Sequence, residues 1–312
     1  MRKFNFSAVV VAVLMMACGG APSPQEPREP QAGEGVVQLP LITTSADGQR
    51  YRLVGATFAI TGTQSATITD TSLDTVSVPL PAGNYSIRLE GNWSIERVDA
   101  PGQPVQASLI SPNPLAFSLS ERETRAVRFL FKVPGNGTAD VGFTVDTGGW
   151  FKGTLNFYPV DPNSPDNALA SLGGTNVPFM VSWSTATVTR SDMGSDKALS
   201  VNAGPLTVQF GGPYSELLHD HIAPALQSAP LYFEIIAMSD GRLLFTGFEL
   251  EHFQGERFGL HMASPMPFIG ARDADGYPAP RPFDVEAPVT LMKRGFPSGV
   301  VSGMGSVNVS AE

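Results

Sequence analysis

Hydrophobic and polar residues alternate with a period of two over much of the chain, the pattern of strands with one buried face. Thr57 and Ala59 point one way and Phe58 and Ile60 the other. Tyr85, Ile87 and Leu89 share a face opposite Ser86, Arg88 and Glu90. Val76, Val78 and Leu80 line up, and Val127, Phe129, Phe131 and Val133 oppose Arg128 and Lys132. Further strands are predicted over 37–41, 93–98, 106–110 and 114–120. Leu80-Pro81-Ala82-Gly83 reads as the turn of a hairpin, with Pro81 fixing φ and Gly83 easing entry to the next strand. So many short strands in about 100 residues predict an antiparallel β-sandwich over 36–134.

Pro134-Gly135-Asn136-Gly137 interrupts the pattern and is taken as the boundary of a second β-rich unit, 135–312. Strands are predicted there over 141–146, 153–160, 177–190, 198–202, 206–210, 257–262, 287–293 and 299–310. A hairpin, LYFEIIAM and RLLFTGFELEHF, turns at Ser239-Asp240-Gly241. Pro213–Ser228 is the exception: Leu217, Leu218, Ile222 and Leu226 follow a helical period, Ser215 can cap it, and Pro224 kinks or ends it. The predicted fold is mainly all-β. It has two antiparallel β-sandwich or barrel-like domains, the second with one short inserted helix.

The first 35 residues break from this alternation. Arg2 and Lys3 precede an apolar run, Ser7–Ala17, which ends at Cys18, the only cysteine in 312 residues. A positive start, a short apolar run and a small-residue end make a signal peptide over 1–17. The run is too short for a spanning helix, which needs about 20 residues. Gly19–Gly35 then reads GGAPSPQEPREPQAGEG, with Pro22, Pro24, Pro27 and Pro30 among polar residues. Such a stretch has nothing to bury and favours extended polyproline II, so 18–35 is expected to be a disordered tether.

Composition narrows the function. Only 16% of residues are charged, below the usual figure of about 25%, while Gly 32 and Pro 27 favour turns over helices. Removing Arg2 and Lys3 with the leader takes the formal charge from −9 to −11. An acidic chain without a Lys/Arg cluster is not built for nucleic acid. With no second cysteine the exported part holds no disulfide, and thiol catalysis has no residue beyond Cys18.

Candidate chemistry is sparse. His219-Asp220-His221 is the compact cluster, but on a helix i and i+2 lie about 200° apart, so the two imidazoles diverge. Glu249 and Glu251 share a strand face and form a conceivable carboxylate pair for glycoside hydrolysis. Asp273-Ala274-Asp275-Gly276 starts like a calcium loop yet lacks the ligand series and closing Glu of an EF-hand. Asp161, Asn163, Asp166 and Asn167 read as turn residues. No G-x-S-x-G elbow, phosphate-binding loop or H-E-x-x-H occurs. We therefore expect no catalytic residue outside the Glu249 and Glu251 pair, no cofactor and no metal, and a second unit that folds without zinc or calcium.

Met15-Met16-Ala17-Cys18 resembles the end of a bacterial lipoprotein signal, with Ala17 matching and Met15 departing from the usual pattern. The resemblance implies that Cys18 gains a diacylglycerol thioether, becomes the mature N-terminus and is N-acylated. Gly19, in place of the Asp that marks inner-membrane retention, implies an outer-membrane anchor with periplasmic or surface exposure. LPAGNYSIRL resembles hairpins of transthyretin-like and immunoglobulin-like modules of bacterial surface proteins. YRLVGATFAITG and SVPLPAGNYSIRLEGNWSIERV resemble an element of myxobacterial-type predicted lipoproteins, over about a third of the chain, with no activity to carry over. The expected function is a non-enzymatic binding, adhesion or structural role in the envelope. Its partners are membrane lipid through Cys18 and an envelope protein or glycan, and the alternative is a glycan-directed hydrolase.

Overall fold

A computed structural model describes residues 30–44, 48–133, 138–141, 148–161, 166–252, 257–263, 265–279 and 281–310. The leader, Cys18 and most of the predicted tether lie outside the described residues. The chain is mainly β, with one short helical segment between strands Leu206–Phe210 and Leu231–Ala237.

The first unit packs small sheets around one core. Glu34–Pro40 lies between Thr75–Pro81 and Thr124–Ala126, and Gly83–Glu90 between Leu115–Leu119 and Thr57–Gly62. The alternation holds: Phe58, Ile60, Tyr85, Ile87, Leu89, Phe129 and Phe131 are all buried in the same cluster. Full burial of each such side chain contributes about 1.5–3 kcal/mol. Three features differ from the prediction. Thr75–Pro81 and Gly83–Glu90 do not pair with each other, because the chain changes sheet at Ala82. Gly83 has φ 155° there, and a Cβ would come 2.1 Å from Thr63 Oγ1, so the crossing is too tight for a side chain. Thr124–Ala126 runs parallel to Glu34–Pro40, so the unit is not purely antiparallel. Thr138–Val141, expected to open the second unit, pairs with Phe129–Lys132 and completes a hairpin of the first.

The second unit is one long sheet that curls into a half-barrel. Its continuous order is Ala186–Met193, Asp196–Ala203, Leu231–Ala237, Phe248–Glu251, Arg257–Met262, Phe283–Arg294, Gly299–Ser310, Trp150–Phe157, Asn176–Trp183 and Leu206–Phe210. The predicted 177–190 strand is in fact two strands, broken between Trp183 and Ala186. Phe151, Phe179, Trp183, Phe210, Phe233, Phe245 and Phe258 fill the interior. Leu218, Ile222 and Leu226 of the helical segment join that core as expected. The segment opens as a wide π-turn, Leu217–Ile222, and tightens to α-helix at Ala223–Gln227. Pro224 lies where the π-turn gives way to α-helix, so the helical path changes at the proline and ends three residues beyond it.

The units meet along a seam. Ile110 and Leu130 pack on Trp150 and Met180. Ser111 Oγ donates to Gln209 Oε1 at 2.7 Å and accepts from the Leu130 N–H at 2.7 Å. Gln209 Nε2 in turn donates to the Arg128 carbonyl at 3.1 Å. The Leu206–Phe210 edge strand is thereby covered rather than left open.

Candidate functional site: a histidine and two glutamates on the half-barrel

Phe248–Glu251 and Arg257–Met262 form a hairpin whose register follows from its hydrophobic residues. Phe248, Leu250, Phe258, Leu260 and Met262 are buried in the core, which turns the alternate positions to the other face. Glu249 is paired directly with His261, and Glu251 with Gly259. The next strand sets Thr290 opposite His261, Met292 opposite Gly259 and Arg294 opposite Arg257. One patch of sheet thus collects Glu249, Glu251, His261 and Arg294.

His261 Nε2 lies 3.1 Å from Glu249 Oε1 and 4.0 Å from Glu251 Oε2. One donor atom from each of the three residues falls within 4.8 Å of the others. Arg294 Nε sits 2.6 Å from Glu251 Oε1. Glu251 is 7% exposed, an unusual depth for a carboxylate on the polar side of a sheet. His261 Nε2 is itself buried, and no hydrogen bond ends on it in spite of the nearby oxygens. In front of the trio lies a shallow groove of about 490 Å³ lined by Tyr232, Thr246, Glu249, His261, Thr290 and Met292.

The structure therefore brings together the two glutamates that the strand pattern paired and adds His261 and Arg294. The signal for His261 was present in the chain. Assigning Leu250 and Leu260 to the core face puts 249 and 261 on the same outer face, and the hairpin register then sets them directly opposite. One oxygen of each carboxylate lies within 4.8 Å of the other and of the imidazole nitrogen.

The other clusters have structural work. Asp220 accepts from Ser118 Oγ of the first unit at 3.1 Å and from the Tyr214 hydroxyl, so it clasps the seam. Burial, with the bond to Asp220 second, pushes the Tyr214 phenol up to about 12. His219 stacks on Tyr214 with ring centroids 5.4 Å apart. It lines a seam hollow of about 280 Å³ together with Arg125, Arg128 and Gln209. Burial takes its imidazole down to about 4, with Asp220 opposing and Arg125 assisting. Asp273 Oδ1 accepts the N–H groups of Asp275 and Tyr277, and Arg190 pairs with both carboxylates, so the loop is held by hydrogen bonds and a guanidinium. Asn167 caps its own turn and ties it to Val300, while Asn163 lies outside the described residues.

No protein-family model, no curated protein and no solved structure matches this chain. Among the described residues no helix is long and apolar enough to cross a membrane.

Proposed function

We propose that the chain is a lipid-anchored protein of the bacterial envelope, exported by Met1–Ala17 and held through Cys18 in the outer membrane. It acts by binding or display rather than by catalysis. The observation that carries this reading is the position of the only cysteine at the end of the apolar run, directly before a proline-rich stretch. The first strand begins at Glu34, which leaves residues 19–33 as a spacer between anchor and body. An extended spacer of that length holds the body on the order of 40–50 Å away. Two or more acyl chains give stable membrane residence where one does not. The partner classes are an envelope protein or a glycan, taken on the outer faces of the sheets. Metabolic labelling with a fatty-acid analogue should tag the parent and not Cys18→Ser, and the variant should leave the membrane fraction. Equal labelling of both proteins overturns the proposal.

A further inference from the structure

We propose that His261, Glu249 and Glu251 bind one divalent transition-metal ion of the zinc class, with the ion's open side facing the groove. This goes beyond anchoring and display and does not depend on them.

The donor set selects the ion. An imidazole nitrogen with two carboxylate oxygens suits zinc and its neighbours, whereas calcium and magnesium take oxygen ligands. The spacing fits as well. Ligand atoms about 2.0–2.2 Å from a tetrahedral zinc stand about 3.3–3.6 Å apart. The trio offers 3.1 and 4.0 Å from Nε2, with every separation within 4.8 Å, so small side-chain rotations close it on an ion.

Two further observations point to a missing cation. Glu251, more than nine-tenths buried, meets the Arg294 guanidinium at Oε1 alone, while its Oε2 faces the imidazole. No hydrogen bond ends on the buried Nε2, so the ring is aimed between the oxygens. The space it faces is also kept clear. A Cβ at Gly259, the residue paired with Glu251, would lie 3.4 Å from His261 Nε2 and 3.1 Å from Met292 Cγ.

Arg294 has a defined part in this arrangement. Its Nε stands 2.6 Å from Glu251 Oε1 as an ion-pair contact without a hydrogen bond, and Glu251 Oε2 lies 4.0 Å from the ring nitrogen, so the guanidinium sits outside the trio beside a candidate ligand. Glu249 and His261 line the groove, which leaves the fourth position of the ion to water or to a donor atom of a molecule lying there.

The test uses the full chain, untagged and metal-stripped, with Cys18→Ser to remove the one thiol. After dialysis against zinc, metal analysis should give one zinc per chain. His261→Ala and Glu249→Gln should each weaken zinc binding at least tenfold, while His219→Ala should leave it unchanged. Excess calcium should not displace the zinc. If His261→Ala does not fold, Glu249→Gln decides, since that side chain is 60% exposed and packs little. The proposal falls if zinc uptake stays well below one per chain, if uptake survives Glu249→Gln undiminished, or if calcium binds in its place.

Discussion

Two groups of histidine and carboxylate occupy the half-barrel, and they differ in how the chain builds them. His219, Asp220 and His221 are consecutive, and a wide helical turn spreads them: His219 enters the seam while Asp220 clasps Ser118 and Tyr214. Glu249, Glu251 and His261 are split by a hairpin and converge within 4.8 Å. In a β-protein, side chains meet through register, and adjacency in sequence separates as often as it joins. The first group is invested in holding two units together. The second reaches no further than Arg294 on the next strand and opens on a groove.

The largest effect should come from the segment under the first group. Ile222 is fully buried in the core that the helical segment closes. Ile222→Ala should cost toward the upper part of the usual 2–5 kcal/mol for such truncations, read as a lower denaturant midpoint at unchanged slope. A change of less than 1 kcal/mol would mean that the segment does not close the half-barrel.

A smaller effect follows from the His219 imidazole. Its folded value near 4 lies below the ordinary 6.5, so between those limits the unfolded chain binds more protons. Stability from this group is complete above pH 6.5 and is lost as the pH falls towards 4, to a total on the order of 3 kcal/mol. The groups facing it are Asp220 and Arg125. His219→Gln should flatten the decline across that window. An unchanged slope would place the acid sensitivity elsewhere.

Asp220→Asn comes next. It weakens one charge-assisted bond across the seam, from Ser118, and one within the second unit, from Tyr214, together worth about 1–3 kcal/mol. The loss should appear as a lower denaturant midpoint of the full chain, and an unchanged midpoint would mean that the seam does not rest on Asp220.

Local periodicity made the strands legible, and burial bears out the faces assigned to Phe58, Ile60, Tyr85, Ile87 and Leu89. Pairing was not legible to the same extent. Nothing local to Pro81 and Gly83 says that the chain changes sheet there rather than turning back, because the tight approach of Thr63 is a non-local contact. The parallel neighbour of Glu34–Pro40 is likewise some ninety residues away. The carboxylate pair at 249 and 251 was readable because it needs only one strand. His261 needed the hairpin register, and Arg294 needed the order of a third strand.

The smallest effect separates the two groups most sharply. Glu249 is 60% exposed, and among the described residues its close charged contact is His261 at 3.1 Å. Exposed ion pairs are worth about 0–1 kcal/mol, so Glu249→Gln should shift the stability of the metal-free protein by no more than about 0.5 kcal/mol. With zinc present the same substitution should matter more. A ligand that binds only the folded state adds about 2.7 kcal/mol at a hundredfold excess over its dissociation constant. A tenfold weaker site at the same free zinc forfeits about 1.4 kcal/mol of that. The parent should therefore melt higher with zinc than without it, and Glu249→Gln should lose about half of the gain while matching the parent in chelator. His219→Gln should show the reverse: a changed metal-free stability and an intact zinc increment. If both substitutions move the metal-free protein alike and neither alters the increment, the glutamate and histidine patch is structural in the same sense as the seam.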